Sequence, residues 1–392
     1  MKAVVWHGKQ DLRVDNVPDP SIVNPHDAIV RVTSTAICGS DLHLYNGFIP
    51  AMKPGDIIGH EFMGEIVATG PACETVKVGE RVIVMCGISC GRCWFCKHEL
   101  FSACDNTNPA GSQAALETLY GHAGGALFGY SHLYGGYAGG QAEYVRVPFA
   151  DVGCVKIPAE LSDEQVLFLT DIFPTGFMAA ENCKIQLGDT IAVFGAGPVG
   201  QFAVKSAYLL GAERVIVIDA VSERLAMAAQ QGAIIVDERH GDVIPRIEEL
   251  TGGRGPDSVI DAVGLEAHGT GVGAVYDKVK QVMRLETDRT TALRNAIMVC
   301  RKGGTVSIPG VYGGLVDKFP IGAAFAKGLS FAMGQTHFHR YAKPLLAKVQ
   351  AGEIDPRFIV THRIALAEIP AAYKMFNDKQ DGCIKVVAKV GT

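Results

Sequence analysis

The sequence predicts an α/β protein: a β-rich first part, then a doubly wound parallel sheet. Three observations point there. Residues 1 to about 155 hold short β-rich runs bounded by Gly and Pro. From Thr190 onward strands alternate with helical stretches, as parallel sheets require. A glycine-rich turn separates the first strand of that alternation from its helix. The length of 392 residues fits two or three domains of roughly 150 residues each.

In chain order, Ala28 to Val32 alternates, and Glu65 to Gly70 and Glu80 to Val84 are further short strands, which suggests a compact barrel-like β domain. After Pro158, Ser162 reads as a helix N-cap with Gln165 at the capping-box position. Thr190 to Phe194 reads as a strand, followed by a helix to about Leu210. Arg214 to Ile218 is the next strand, followed by a helix through Arg224 to Gln230. Asp257 to Asp261 and Thr305 to Ile308 are further short apolar strands. The tail offers a helix over Pro344 to Ala351 and a last β run over Cys383 to Val390. Residues 105 to 140 are Gly-rich and poorly periodic, and residues 265 to 295 read as a polar, helix-like insertion.

Charged residues are 20% and the formal net charge is −5, which gives no support for a nucleic-acid partner or a basic membrane patch. The N-terminus has no apolar run of signal-peptide length, and the most apolar region, Ile191 to Ala212, is broken by Gly, Pro, Gln and Lys. The expectation is a cytoplasmic protein. Its 11 Cys are odd in number and clustered, which favours metal binding over disulfides.

Cys90, Cys93 and Cys96, followed by Cys104, give a strong zinc signal, because four thiolates can close a tetrahedral shell. Such a site has no vacancy and serves structure. Cys86, four residues earlier, competes with Cys104 for the fourth place.

Gly195-Ala196-Gly197-Pro198-Val199-Gly200 fits G-x-G-x-x-G between a strand and a helix, and Asp219 ends the next strand 24 residues after Gly195. Glycines let the backbone approach a pyrophosphate, and the helix start offers free N–H groups. Asp219 can accept bonds from both adenosine ribose hydroxyls and repels a 2′-phosphate, which favours NAD over NADP. Arg224 could complete the ribose contact.

Cys38-Gly39-Ser40-Asp41-Leu42-His43 and Gly59-His60-Glu61-Phe62-Met63-Gly64 supply a thiolate and an imidazole from two loops, half of a catalytic zinc shell. With these motifs, the four-thiol lobe and the glycine fingerprint in this order, the chain resembles the zinc-containing alcohol dehydrogenase branch of the medium-chain dehydrogenase/reductase family. The resemblance spans nearly the whole length. It implies a GroES-like catalytic domain with the structural zinc lobe over 1–176, a Rossmann NAD-binding domain over 177–334, and a return to the catalytic domain over 335–392.

The resemblance further implies two zinc ions per chain. Cys38 and His60 would bind the catalytic one. Asp171 stands where many relatives have a third, Cys ligand, a departure similar to the glutathione-independent formaldehyde dehydrogenase and dismutase subgroup. The other reading of Asp171 is a solvent-facing carboxylate on a helix. Glu61 is an alternative ligand, and Asp41 would orient His60. A proton relay would run from Ser40 through the cofactor ribose to His43. Val199 would press on the nicotinamide, and Thr175 and the Val311 backbone would fix its face. His268 would approach the cofactor, and Lys385 would either reach the pyrophosphate or stand solvated at the surface. The Gly-rich residues 121–140, with Tyr120, Phe128, Tyr130, Tyr134 and Tyr137 in or beside them, would form an aromatic lid or an exposed loop. The implied substrate is a small primary alcohol or an aldehyde, with formaldehyde dehydrogenase or dismutase activity on tightly bound NAD as an alternative. A non-enzymatic NAD-binding sensor on the same scaffold is the reading from another class. Family members are dimers or tetramers, so a homo-oligomer is expected.

Overall fold

The computed structural model describes residues 1–264, 291–313, 316 and 318–391. The chain forms two compact units, Met1–Pro174 with His337–Thr392, and Thr175–Thr336. No described helix is long and apolar enough to cross a membrane.

The first unit is β-rich. Its largest sheet runs Cys154–Lys156, Arg81–Val84, Glu61–Thr69, Ala28–Ile37, Val386–Lys389 and His362–Ala365, and Tyr144–Val147 pairs beside the start of Ala28–Ile37. Ala28–Ile37 lies at the centre and is buried along most of its length, which its run of Ala, Ile and Val demands. The C-terminal strand Val386–Lys389 lies antiparallel to it, with Val386 opposite Ile37. On its other side, Ala36 faces Glu61. These two registers bring residues from the start, middle and end of the chain to one place.

Ser162 and Gln165 close the expected capping box, but the helix they open, Asp163–Val166, is a single turn that runs into the 3-10 turn Leu167–Thr170. The tail helix is Phe338–Gln350, six residues longer at its start than the sequence reading, with Pro344 inside it. Its buried residues Phe338, Tyr341, Ala342, Leu345, Leu346 and Val349 keep helical spacing across the proline.

In the second unit, six parallel strands lie in the order Ile234–Asp237, Arg214–Asp219, Thr190–Phe194, Ser258–Asp261, Thr305–Ile308 and Ser330–Met333. In sequence order this is 3-2-1-4-5-6, the doubly wound arrangement with its switch point at Thr190–Phe194. Alternation builds the layers. Ala192, Phe194, Ile216 and Ile218 pack on one face with Ile247 and Leu293, whereas Ile191, Val193, Val215 and Val217 pack on the other with Ala203 and Leu225.

Candidate active site

Cys38 leaves the Ala28–Ile37 strand and becomes the N-cap of helix Gly39–Tyr45, its N–H donating to Asp41 Oδ2 at 3.0 Å. His60 and Glu61 stand at the start of the neighbouring strand, where Thr35 Oγ1 donates to the Glu61 carbonyl at 2.8 Å. Asp171 follows the fully buried turn Leu167–Thr170, and the Thr170 carbonyl accepts from Cys86 N–H at 3.1 Å.

One ligand atom from each of Cys38, His60, Glu61 and Asp171 lies within 4.8 Å of the others, and all four residues are buried. Cys38 Sγ is 3.4 Å from Asp171 Oδ2, and His60 Nε2 is 3.2 Å from the same oxygen. Ser40 Oγ lies 3.3 Å from Cys38 Sγ and 3.2 Å from His60 Nε2. On the far side of the ring, His60 Nδ1 is 3.0 Å from Asp41 Oδ1, an ion-pair distance without hydrogen-bond alignment. Burial, then the carboxylates of Asp171 and Glu61, push the Cys38 thiol up to about 12. His60 is moved well above its ordinary value: burial opposes its charge, but Asp41 and the thiols of Cys86 and Cys38 outweigh it.

Negative and neutral donors crowded out of water in this way call for a cation. A thiolate, an imidazole and a carboxylate are the ligand types of a catalytic zinc with one open position. Thiolate and Asp171 together balance the two charges of Zn²⁺. Glu61 is already paired, its Oε1 accepting from Lys385 Nζ at 2.7 Å. Asp171 is 8% exposed and takes its place in the donor cluster, so the solvent-facing reading of it is overturned.

A second group comprises Cys90, Cys93, Cys96 and Cys104. Cys93 Sγ and Cys104 Sγ are 3.9 Å apart, against about 3.8 Å for the edge of a tetrahedron with Zn–S near 2.3 Å. Backbone N–H groups aim at the sulfurs, Cys90 N at Cys104 Sγ (3.3 Å) and Cys93 N at Cys90 Sγ (3.4 Å). Burial works to raise the Cys90 thiol, but the N–H of Arg92, the amide of Asn106 and the N–H of Cys93 bring it down to about 7. Cys86 is outside this group and lies beside the other one, close enough to influence His60.

Two expectations are corrected. Lys385 is neither solvated nor free for a pyrophosphate. It is fully buried, donates to the Ile37 carbonyl at 2.9 Å and grips Glu61. The strand Val386–Lys389 pairs with Ser34–Ile37, and that register carries the preceding lysine into the core. Burial opposes its charge, but the Glu61 carboxylate holds its pKa above the ordinary value. The segment after residue 120 is also not an exposed loop. Phe128, Tyr130 and Leu133 are buried, and the Tyr130 ring meets His60 edge-on at 6.4 Å between centroids. Tyr134 and Tyr137 are half-buried, and of the five aromatics only Tyr120 is exposed.

His43 is 6% exposed, and burial draws its ring down to about 4. Sequence reasoning missed Gln141 and Tyr373, whose side chains exchange hydrogen bonds of 2.9 and 3.1 Å in the core, with Tyr373 near enough to Asp41 to feel its charge. Neither carries a motif that announces it.

In the second unit, Gly195 adopts φ +88°, and a side chain at Gly200 would come within 1.9 Å of the Gly195 carbonyl oxygen, so both positions need glycine. Pro198 opens helix Pro198–Leu209; Gly195, Gly197 and Val199 are half-exposed, whereas Gly200 is buried. Asp219 Oδ2 accepts from Ala196 N–H at 2.7 Å and Oδ1 from Val221 N–H at 2.8 Å, so it pins the turn and keeps a lone pair on each oxygen. Arg224 lies beside Gly197, and its buried Nε has no hydrogen-bond partner among the described residues. This free donor beside the helix start fits a polar, anionic cofactor. Thr175 Oγ1 accepts from Thr336 at 3.0 Å, and the Val311 backbone packs against Gly264. His268 lies outside the described residues.

Comparison with known proteins agrees with these features. The family described as "Alcohol dehydrogenase GroES-like domain" matches residues 24–159, and "Zinc-binding dehydrogenase" matches residues 198–281. A zinc-type alcohol dehydrogenase-like protein of Bacillus subtilis is 42% identical over 99% of this chain and 100% of its own. A glutathione-independent formaldehyde dehydrogenase of Pseudomonas aeruginosa is 36% identical over 96% of this chain and 94% of its own. Among solved structures, the alcohol dehydrogenase TADH from Thermus sp. ATN1 is 33% identical and superposes over 100% of both chains with a TM-score of 0.82.

Proposed function

The chain belongs to the zinc-containing alcohol dehydrogenase family, and from that premise we propose that it is an NAD-linked oxidoreductase acting on a small primary alcohol or aldehyde. The observation that carries this reading is the convergence of Cys38, His60 and Asp171, with Ser40 Oγ 3.2 Å from His60 Nε2. When bound, zinc supplies a Lewis acid that acidifies an alcohol hydroxyl, and NAD supplies the hydride acceptor.

The chain's own groups do the rest. Cys38, His60 and Asp171 would hold the metal, and Asp41, 3.0 Å behind the ring of His60, would orient it. Ser40 Oγ can accept the substrate's proton while donating its own, which a relay needs. Burial holds the His43 ring neutral at pH 7, so it would carry that proton onward only in passing. Lys385 compensates Glu61, so a third negative donor does not oppose substrate entry. Cys90, Cys93, Cys96 and Cys104 would hold a second, structural zinc. Asp219 and Arg224 would select NAD at the adenosine ribose.

The test is zinc content together with NAD reduction by short primary alcohols. The wild type should carry two zinc ions per chain. Asp171→Ala should carry one and lose more in kcat/KM than the roughly 10–100-fold typical of outer-shell partners. A wild type with one zinc and no hydride transfer would instead be a dinucleotide-binding scaffold. A formaldehyde dehydrogenase or dismutase reading is favoured by Asp171 as third ligand and by the Pseudomonas relative. Nicotinamide released on denaturing the purified protein supports that reading, and its absence supports an ordinary dehydrogenase with exchangeable cofactor.

A further inference from the structure

Asp219 has a carboxylate neighbour that the glycine fingerprint does not announce. Strands Arg214–Asp219 and Ile234–Asp237 run parallel with Asp219 and Asp237 as register partners. Two acids therefore end adjacent strands on the side of the sheet where the glycine turn lies.

Their occupations differ. Asp219 spends its oxygens on the N–H groups of Ala196 and Val221 and is 8% exposed. Asp237 grips a guanidinium by both oxygens: Arg239 Nε to Oδ1 at 2.9 Å and Arg239 Nη2 to Oδ2 at 2.5 Å. Oδ1 also accepts from the Arg239 N–H at 3.0 Å, and His240 Nε2 stands 3.4 Å from Oδ2. Arg239 Nη2 reaches further and donates to Ser222 Oγ at 2.9 Å. Ser222 is the first residue of helix Ser222–Gln230, three positions after Asp219. Arg239 is close enough to feel the charges of Glu223 and Asp219. Arg239 therefore lies across the helix start beside the acid expected to meet the adenosine ribose.

This pair has little to do for stability. The Arg239 side chain is 49% exposed, and solvent screens most of what an exposed ion pair gains. It has much to do for charge. A guanidinium fork is the preferred protein partner of a phosphate, and Asp237 fills that fork. Selectivity is a difference of affinities, set as much by what repels the wrong ligand as by what attracts the right one.

We propose that Asp237 is a second determinant of dinucleotide choice: it occupies the Arg239 fork beside Ser222 and so denies a 2′-phosphate its cation. With Asp237 neutral, Arg239, Arg224 and the N-terminus of helix Ser222–Gln230 would face an incoming phosphate, opposed by Asp219 and Glu223. The inference rests on the NAD reading above.

The test compares wild type, Asp237→Asn and Asp237→Asn/Arg239→Gln. Asparagine keeps an oxygen for the Arg239 N–H, so the turn Glu238–His240 retains its cap. Binding of NADH and NADPH is read by fluorescence, and kcat/KM for NAD and NADP is measured with one alcohol. Asp237→Asn should lower the NAD-to-NADP preference at least tenfold, mainly through tighter NADPH binding that weakens with added salt. Arg239→Gln in the same chain should abolish the gain. A preference within twofold of wild type in Asp237→Asn, or a gain that survives loss of Arg239, overturns the proposal. A wild type that binds neither dinucleotide, or prefers NADPH, overturns the NAD reading itself and the inference with it.

Discussion

A lysine ammonium with no exposed surface is costly unless matched, and Lys385 is matched by Glu61 at 2.6 Å. Removing one partner strands the other. Lys385→Met should destabilise the protein by about 3–5 kcal/mol in urea unfolding. Lys385→Met with Glu61→Gln should recover most of that. If Lys385→Met unfolded like wild type but lost dinucleotide affinity, the pyrophosphate role would stand after all. The sequence could not place this residue, because a lysine within the expected β run over 383–390 reads as solvated surface, and only the pairing of Val386 with Ile37 carries it inside. Cys38 and His60 were legible for the opposite reason: their two motifs together suggest half of a zinc shell. Asp171 came from the family resemblance alone, and the fold brings it into the same donor cluster. Gln141 and Tyr373 sit in ordinary surroundings and become visible only as a bonded pair.

At the scale of elements, the segment from residue 121 to 140 shows how packing can erase its own signature. Side-chain periodicity betrays a strand or helix when side chains do the packing. Here backbone does much of it. A Cβ at Gly140 would lie 2.1 Å from the Phe62 ring, and one at Gly129 would lie 2.5 Å from the Gly59 backbone. The strand that carries His60 is thus braced by glycines, and no apolar stripe records the contact. Gly140→Ala should cost about 1–3 kcal/mol, the usual penalty of overpacking. Because Phe62 is two residues from His60, zinc content should fall toward one per chain while the four-thiol lobe keeps its ion. Two zinc ions and unchanged stability in that variant would show that the segment does not brace the site. In the parallel sheet the reverse holds. Ile191 to Phe194 and Val215 to Ile218 feed two cores in strict alternation, and those strands were readable to within a residue. The tail helix was truncated in the reading because Pro344 mimics a start; its buried stripe extends back to Phe338.

For the whole molecule, both described metal-type clusters belong to Met1–Pro174 with His337–Thr392, whereas the glycine turn and Asp219 belong to Thr175–Thr336. On the proposed function, each unit would have its own ligand to stabilise it. A ligand at 100 times its Kd adds about 2.7 kcal/mol to the state that binds it. Chelator should therefore raise amide exchange in 1–174 and 337–391, and NAD should lower it in 175–264 and 291–313. Equal responses of both units to either reagent would contradict separate linkage. Finally, the two metal clusters differ in how far apart their ligands lie along the chain. Cys90 and Cys104 are 14 positions apart, Cys38 and Asp171 are 133 apart, and Lys385 arrives 324 positions after Glu61. Closing the longer loop costs about 2 kcal/mol more entropy than the shorter. During synthesis on the ribosome, the lobe can capture its ion as soon as residue 104 emerges. The other centre must wait for residue 171, and its charge balance for the last strand, so a nascent or truncated chain would carry the structural ion before it could carry the reactive one.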